Sequence, residues 1–320
     1  NPAANPLAPL SALQFLPPFL PVPNSVEDGK VSDNDFSYTI RLAYDVSPNL
    51  NVYASYATGF KAASVNLSRD SRPFAADMAA LGSAGLIQVN QAYGTRFADP
   101  EESRVIEVGA KGNWDGVSAN LAIFDQEIKG FQSNIFTGGG FQLNNAGKQS
   151  TFGVEFEGQA ELVPGFTMGL GVTYLDPVYD EFLFSAVGDL SGKTPAGIPE
   201  WTVVLGGQYD YELGNGDNVI LNANYRHESE VQINDGLPGF LGMGVDAAIA
   251  AAAQFTREVN EVDASITYAM ENGLELSIWG RNLTNNRYLL STFDSVAQPL
   301  SISGYPNQPR TYGATARFRW

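Results

Sequence analysis

Apolar and polar residues alternate at the end of the chain. Tyr312, Phe318 and Trp320 share one parity, and Arg317 and Arg319 share the other. A period of two puts successive side chains on opposite faces of a β-strand, so this segment is predicted to be a strand with one apolar and one polar face. About eleven segments follow the pattern, each about ten residues or longer, which is enough to cross a bilayer at a tilt. They are 36–46, 50–60, 103–114, 116–129, 148–162, 165–175, 200–213, 217–230, 257–270, 273–283 and 310–320.

Two kinds of connection alternate between these segments. Short turns at one end and long loops at the other are typical of outer-membrane barrels. A soluble β-protein with core aromatics is the alternative, and it leaves this alternation of connections unexplained. The tight turns are at 47–49, 114–116, 163–165, 213–216 and 271–273, and the long loops are 61–102, 130–147, 176–199, 231–256 and 284–309.

The pattern predicts an all-β fold, a transmembrane antiparallel β-barrel in the bacterial outer membrane with outer-membrane lipid around it. With Trp320 on the periplasmic side, the turns are periplasmic and the loops extracellular. Residues 1–35 are then the tail of an extracellular loop, and 36–320 are barrel. Because the strand count is odd and lipid cannot bond to free strand edges, we expect a further segment or a partner chain to complete the wall.

Composition excludes several other classes of protein. The chain has no cysteine, one histidine and a formal net charge of -17. These values argue against disulfides, thiolate chemistry, histidine metal sites and nucleic-acid binding. No cofactor and no metal site are predicted, although loop carboxylates leave calcium open as an alternative to simple loop solubility. The carboxylates concerned are Asp176, Asp180, Glu181, Asp189, Asp235 and Asp246.

Ionisable residues occur on the polar parity of the strands, which is predicted to face the barrel interior. One interpretation is that they pack against a plug or guide a ligand, and the other is that they simply solvate the inner wall. No activated nucleophile or phosphate-binding loop accompanies them, so an enzyme is not predicted. The residues are Arg41, Glu107, Lys111, Glu155, Glu157, Asp210, Arg226, Asp263, Glu275, Arg281, Arg317 and Arg319.

Three loop segments are unexpectedly apolar: 10–23, 78–89 and 245–255. The last is rich in alanine and is predicted to form a short helix. Large exposed apolar patches usually mark contact surfaces. These segments therefore either pack on one another, hold an apolar ligand or bind a surface lipoprotein.

Six segments, in order along the chain, resemble the TonB-dependent outer-membrane receptor family. VYASYATGFKAASVN, PEESRVIEVGAKGNW and NNAGKQSTFGVEFEG are similar to strand segments of that family, and SGKTPAGIPEW, RNLTNNRY and PRTYGATARFRW are similar to its later motifs. The resemblance implies the C-terminal half of a 22-stranded barrel, with the plug and the N-terminal strands outside this sequence. It places Trp320 where Phe is more usual. It also implies that Tyr312, Phe318 and Trp320 form the signal for the barrel-assembly machinery.

The function implied by this resemblance is TonB-dependent uptake of a scarce, bulky nutrient such as a siderophore, cobalamin or glycan. The TonB–ExbB–ExbD system would act through the plug and the TonB box. A passive porin-like or structural barrel and a receptor partnered with a surface lipoprotein are the alternatives, and a barrel enzyme is disfavoured because His227 lacks an evident serine partner. The predicted ligand contacts in the extracellular loops are Tyr93, Arg96, Phe97, Phe131, Phe136 and Phe141.

Overall fold

The computed structural model describes residues 30–65, 97–136, 141–183, 185–295, 298 and 300–320. Its main feature is an eleven-stranded antiparallel sheet in which each strand pairs with the next long strand along the chain. The fold class predicted from the alternation is confirmed, and all eleven strands are present. Numbered in chain order, they are β1 Thr39–Ser47, β2 Leu50–Lys61, β5 Glu101–Trp114, β6 Val117–Lys129, β9 Lys148–Val163, β10 Phe166–Glu181, β11 Trp201–Glu212, β12 Asn218–Gln232, β13 Thr256–Ala269, β14 Leu274–Arg281 and β17 Thr311–Phe318.

The described sheet is open, with β1 and β17 at its two edges. Strand β10 continues six residues beyond its predicted end, to Glu181, and stays paired with β9. Beyond residue 175 both faces of β10 carry polar residues, so the alternation ends while the backbone pairing continues. The sequence pattern therefore marked the apolar part of this strand and missed its polar extension.

Four of the five tight turns accept a backbone hydrogen bond from a neighbouring strand as well as closing their own hairpin. The amide of Asn113 donates to the Asn49 carbonyl, and that of Glu161 donates to Gly116. Gly165 and Gly273 accept in the same way from Asp210 and Arg319. Gly116, Gly165, Gly216 and Gly273 have φ values of 72°, 82°, 86° and 89°, a region that glycine adopts at little steric cost.

The long loops contain secondary structure that the alternation does not reveal. Six short strands form three hairpins at the loop end of the sheet. A 3-10 helix at Pro238–Met243 precedes α1, Val245–Ala252, which confirms the predicted alanine-rich helix. No helix among the described residues is long and apolar enough to cross a membrane. The hairpins are β3 Ser64–Val65 with β4 Phe97–Ala98, β7 Gln132–Phe136 with β8 Phe141–Asn145, and β15 Leu289–Asp294 with β16 Ile302–Pro306.

Most of the buried side chains lie in or beside these loops, and among the described residues the sheet has no comparable core. Two adjoining clusters form around α1, which we call together the loop core. Phe131, Phe240, Leu241, Phe255, Ile249 and Ile302 pack around them, half-buried. The clusters are Ala146, Tyr179, Phe182, Val187, Leu190 and Ala248, and Leu237, Ala251 and Ala252.

Candidate functional site

Cross-strand pairing places the ionisable residues predicted to line the interior on a single face of the sheet, which we call the inner face. Arg41 lies opposite Ser55, and Ser55 lies opposite Glu107, which shows how the register carries the face from strand to strand. The register continues in the same way to β17, where Glu275 of β14 pairs with Arg317. The role of these residues toward a plug or a ligand stays a prediction. The remaining members are Lys111, Glu155, Glu157, Asp210, Arg226, Asp263, Arg281 and Arg319.

The opposite face, the outer face, is apolar across its middle. Val108 and Ile278 are 48% and 72% exposed there, and no protein element among the described residues covers them. Large exposed apolar surfaces mark sites of contact with a membrane or another protein. Tyr312, Phe318 and Trp320, predicted to form the assembly signal, are exposed at the edge of the sheet, and Tyr312 and Phe318 pair with Gly280 and Leu274 on this face.

Inner-face charges are paired at both ends of the strands. Near the turns, Arg317 Nη1 and Arg319 Nη2 each lie 3.4 Å from Glu275. Near the loops, Arg226 contacts Glu228, whose side chain is only 7% exposed. Arg257 approaches the same carboxylate at 3.5 Å. A buried carboxylate between two guanidinium groups is stable only as a set, because removal of either cation leaves charge unpaired.

Tyr53 organises a third inner-face group. Its hydroxyl donates to Glu107 Oε1 at 2.7 Å. The Arg41 guanidinium lies 4.2 Å from the ring centroid, and the Lys111 ammonium lies 5.7 Å from it. Cations at these distances from an aromatic face are attracted by its quadrupole. The group therefore presents a tyrosine ring between cations to whatever fills the interior.

The middle of the inner face is a shallow depression of about 880 Å³. Its floor consists of small residues on β10 and β11, including Gly169, Gly171 and Gly206. A Cβ built on Gly169 or Gly171 would meet only a backbone oxygen, 3.8 and 4.0 Å away. Glu155 and Glu157 border the depression on one side, and Asn222 and Asn224 border it on the other.

A second cavity, of about 240 Å³, lies beside the loop core. Tyr179 donates its hydroxyl proton to Asp235 Oδ2 at 3.1 Å, and the Ala196 amide donates to Oδ1 at 2.8 Å. Burial raises the pKa of the Asp235 carboxyl, although both hydrogen bonds oppose the rise. Burial also raises the pKa of the Tyr179 phenol, and the nearby Asp235 charge raises it further. Burial likewise raises the pKa of Asp294, whose Oδ1 has no hydrogen-bond partner among the described residues.

Three of the recognisable sequence motifs meet at the rim, where β2, β5 and β9 end in loops. Lys61 Nζ lies 2.9 Å from Glu101 Oε1, and that oxygen also accepts from the Gln132 amide. Gln132 is 9% exposed, and its side-chain nitrogen donates to the carbonyls of Ala62 and Asp99. Asn145 completes the network by donating to Gly130 and Asp99 carbonyls. Residues within the sequence motifs, such as Glu101 and Asn145, thus form hydrogen bonds that hold three loops together.

The RNLTNNRY motif builds a comparable network above β13 and β14. Asn282 is 5% exposed and has a φ of 49°. Its side-chain nitrogen donates to the carbonyls of Asn286 and Gln308, and its side-chain oxygen accepts from the Asn286 amide at 2.8 Å. Tyr288 donates to Glu261 Oε1 at 3.0 Å, which anchors the loop to the inner face. Sequence reasoning found this motif but missed its role as a hydrogen-bond hub.

The predicted ligand contacts are placed only in part. Tyr93 and Arg96 lie outside the described residues. Phe97, Phe136 and Phe141 lie on β4, β7 and β8 at the loop end. Phe131 is partly buried and packs against the loop core. Ligand binding by these residues stays a prediction.

Several of the loop carboxylates considered for calcium have partners within the protein. Asp189 accepts from the Ser191 amide, and Asp180 accepts from Ser150 and lies 3.7 Å from Lys148. Within the part of the chain that the structure describes, no three His, Cys, Asp or Glu side chains are grouped to hold a metal ion. Calcium binding stays a prediction.

Comparison with known proteins gives one family and one fold. A family model described as "TonB dependent receptor-like, beta-barrel" matches residues 18–283. The ferric yersiniabactin uptake receptor FyuA from Yersinia pestis matches with a TM-score of 0.63 at 16% identity, over 88% of this chain and 36% of that one. The siderophore receptor PiuA from Acinetobacter baumannii gives 0.58 at 19% identity, over 88% and 35%.

The ferric-catecholate import receptor Fiu from E. coli K12, in its closed form, gives a TM-score of 0.57 at 17% identity, over 88% of this chain and 34% of that one. At these identities the likeness concerns the fold alone. The chain spans about a third of the length of these solved structures.

Proposed function

Because the chain belongs to the TonB-dependent receptor β-barrel family, we propose that the protein takes up a scarce, bulky nutrient across the bacterial outer membrane in a TonB-dependent manner. A ferric siderophore is the favoured substrate class, since the solved structures that match the fold are named as receptors for such compounds. Cobalamin and glycans are the alternatives. The protein is a binding and transport protein and not an enzyme.

The observation that carries the proposal is the two-sided wall. Eleven paired strands present an apolar outer face to lipid and a charged inner face to an interior. Such a wall serves passage of a polar solute across a membrane. The loop core packs the loops together at the end of the barrel where a ligand would first bind.

The partners follow from the same premise. TonB, with ExbB and ExbD, would act on a plug and TonB box encoded outside this sequence. The barrel-assembly machinery would read Tyr312, Phe318 and Trp320. A surface lipoprotein is the less favoured partner, because Ala248, Ala251 and Ala252 of α1 are buried within the loop core and are not exposed for contact.

Uptake is tested with the full-length receptor in cells that lack their own ferric-siderophore receptors. Cells supplied with radioactive iron on a panel of siderophores should accumulate iron with at least one of them, and deletion of tonB should abolish that accumulation. Equal uptake in the presence and absence of TonB would indicate a passive pore and overturn the proposal. Failure with every siderophore, but TonB-dependent uptake of cobalamin or a glycan, would overturn only the substrate class.

Orientation is tested by inserting epitope tags at the two opposite ends of the sheet. A tag after Gly116, in the β5–β6 turn, should be hidden in intact cells. A tag after Gly192, whose surroundings are open, should bind antibody from outside. Surface labelling of the first tag, with the second one hidden, would reverse the proposed orientation.

A further inference from the structure

The cavity beside the loop core has a negatively charged wall. Its lining includes the carboxyl groups of Asp235 and Asp294 and, among the described residues, no lysine, arginine or histidine. Within the same part of the chain, both carboxyl groups receive hydrogen bonds from uncharged donors but no counter-charge. A carboxylate that is removed from water needs a positive partner, because the loss of hydration is otherwise uncompensated. The cavity therefore favours a cation.

Acceptor sites outnumber donors at these two carboxyl groups. Each oxygen of Asp235 accepts one hydrogen bond, from Tyr179 and from the Ala196 amide, although a carboxylate has about four acceptor sites. Asp294 Oδ2 accepts from the Gly239 amide at 2.6 Å, and its Oδ1 is buried and accepts from no described residue. What fills the cavity must therefore supply donors as well as charge.

The remainder of the lining is apolar or carries hydroxyl groups. The apolar side chains are almost fully buried, so the wall that they form is dry and suits methylene groups better than a second charge. The hydroxyl groups can accept further hydrogen bonds from an ammonium group. A primary amine at the end of an apolar chain matches both parts of this lining. The apolar residues are Phe182, Val187, Leu190 and Leu237, and the hydroxyl residues are Ser133, Ser185 and Thr292.

The strand register places the cavity on the interior side of the wall. Thr173 of β10 pairs with Glu155 on the inner face, and the pairing continues without irregularity to Tyr179. Because positions 173 and 179 have the same parity, the Tyr179 ring lies on the inner side, and its hydroxyl reaches Asp235 from there. The cavity therefore lies at the loop end of the interior, where, in the proposed orientation, a compound entering from outside the cell would pass first.

The size of the cavity limits how much of a compound it can hold. Its volume of about 240 Å³ is below the range of about 300–1,000 Å³ for pockets that enclose a whole small ligand. This volume corresponds to about eight water molecules at ~30 Å³ each. The end of a flexible arm fits this space, whereas a bulky nutrient as a whole does not.

We propose that this cavity binds a protonated primary amine on a short apolar arm of the transported compound. The inference deepens the proposed function and rests on it for the identity of the compound that carries the arm. Asp235 accepts hydrogen bonds from the ammonium group, and Asp294 adds a second negative charge to the same wall. The buried apolar side chains contact the methylene groups, and the bulk of the compound lies outside the cavity, toward the interior.

The ligand class is tested with pentylammonium and 1-pentanol, which have the same length and differ in charge. Binding to the full-length receptor, purified in mild detergent, is measured by saturation-transfer NMR titration, with detergent micelles alone as the blank. Pentylammonium should bind at millimolar concentration, and 1-pentanol should bind at least about tenfold more weakly, because it lacks the charge-assisted hydrogen bond. Equal binding of the two compounds, or no binding of pentylammonium, overturns the proposal.

Two isosteric variants locate the binding. Asp235→Asn keeps the shape of the side chain and should weaken pentylammonium binding at least about tenfold. Asp246→Asn is the matched control, since Asp246 is exposed on α1, outside the cavity lining, and this variant should bind as the wild type does. Equal affinities of the two variants overturn the proposal. If Asp235→Asn does not assemble, Asp294→Asn should still lower the affinity several-fold, and an unchanged affinity there would have the same meaning.

Ferrioxamine B distinguishes an arm of a bulky compound from a free amine, because it carries a pentylammonium arm on a ferric chelate. It should displace pentylammonium from the wild-type receptor, and its N-acetylated form, which lacks the charge, should not. Failure of ferrioxamine B to displace pentylammonium would assign the cavity to free small amines and overturn its assignment to the transported compound. Radioactive iron uptake is measured in parallel, so that amine binding without TonB-dependent uptake would refute the proposed function while the ligand class of the cavity stands.

Discussion

The two ends of the same eleven strands are built by different means. At the turn end, a few residues close each hairpin, and a carbonyl of the turn accepts a bond from the neighbouring strand in four of the five cases. At the loop end, long segments fold on one another and enclose the loop core. Its contacts join residues far apart in sequence, such as Tyr179 with Asp235 and Asn234 with Thr292, which are 56 and 58 positions apart.

Because of this difference, a substitution at the turn end and one at the loop end should affect different parts of the molecule. A defect in a turn acts on two or three strands of the wall, because the turn is bonded to the strand beside it. The loop core and the loops that pack on it are together called the cap. A defect in the loop core acts on the cap and leaves the paired strands intact, since β9–β13 remain paired below it. Substitutions of matched chemistry at the two ends should therefore have effects of different size and in different places.

The largest contrast is expected between two glycines of positive φ. A Cβ at Gly165 would collide with the Asp210 carbonyl oxygen, whereas a Cβ at Gly192 would meet nothing within 4 Å. Gly165→Ala should cost about 3 kcal/mol or more, from left-handed strain and the clash together. Gly192→Ala should cost about 1 kcal/mol from strain alone. Denaturant unfolding of the full-length receptor refolded in detergent measures both, and equal losses would contradict the contrast.

The next effect is confined to the loop core. Leu237 is 1% exposed, so Leu237→Ala should destabilise the cap by about 2–3 kcal/mol through lost burial and a cavity. Limited proteolysis of the loops should accelerate while the heat-modifiable migration of the barrel on a gel stays unchanged. Leu183→Ala is the matched control, because Leu183 is 46% exposed and its removal leaves no cavity. Loss of heat modifiability in Leu237→Ala would show that the cap and wall are one cooperative unit.

The same difference explains which parts of the fold can be predicted from the sequence alone. Period-two alternation and turn residues are local signals, so the sequence predicts the eleven strands, the tight turns and a short helix within 245–255. The alternation of Ile106, Val108 and Glu107 also allowed the two faces to be assigned, since register and parity are linked in a sheet. Beyond residue 175 of β10 the membrane no longer imposes alternation, and the prediction ended there although the strand continues.

The loop end could not be predicted in this way, because its structure depends on which distant segments meet. Phe131 illustrates this: an aromatic loop residue suggests a ligand contact, yet here it packs on Ala146 and its neighbours. Asn145 and Asn282 were visible within motifs, but their hydrogen-bond partners come from other loops. Nothing in the sequence marks Gln132 as a buried residue, because its burial depends on the loops that pack around it.

Asn282 tests whether the loop end also depends on polar hubs. Asn282→Ala should destabilise the β14–β17 connection by about 2 kcal/mol, because the carbonyls of Asn286 and Gln308 lose their donor. Asn285→Ala is the matched control, since Asn285 has a similar φ of 55° but is exposed. Hydrogen exchange at residues 282–288 should rise in the first variant only. Similar hydrogen-exchange rates in the two variants would mean that the backbone conformation of this loop, and not the side-chain hydrogen bonds of Asn282, holds it in place.

The smallest expected effect is a dependence of the cap on pH. Because burial raises the pKa of Asp235, the folded cap holds this proton more tightly than the unfolded loop does. The associated stability is therefore fully present below the ordinary aspartate pKa and is lost as the pH rises through the raised value of the folded state. Loop proteolysis should accelerate over that range in the wild type, and Asp235→Asn should remove most of the acceleration while leaving the wall unaffected.

Tyr179→Phe sharpens this last test. The Tyr179 hydroxyl stabilises the charged form of Asp235 by donating to it, so its removal should raise the carboxyl pKa further and widen the pH range over which the cap weakens. An indirect effect of packing would be independent of pH, because the phenyl ring remains in place. A pH profile of proteolysis that is the same in wild type, Asp235→Asn and Tyr179→Phe would show that the buried carboxyl does not control the cap.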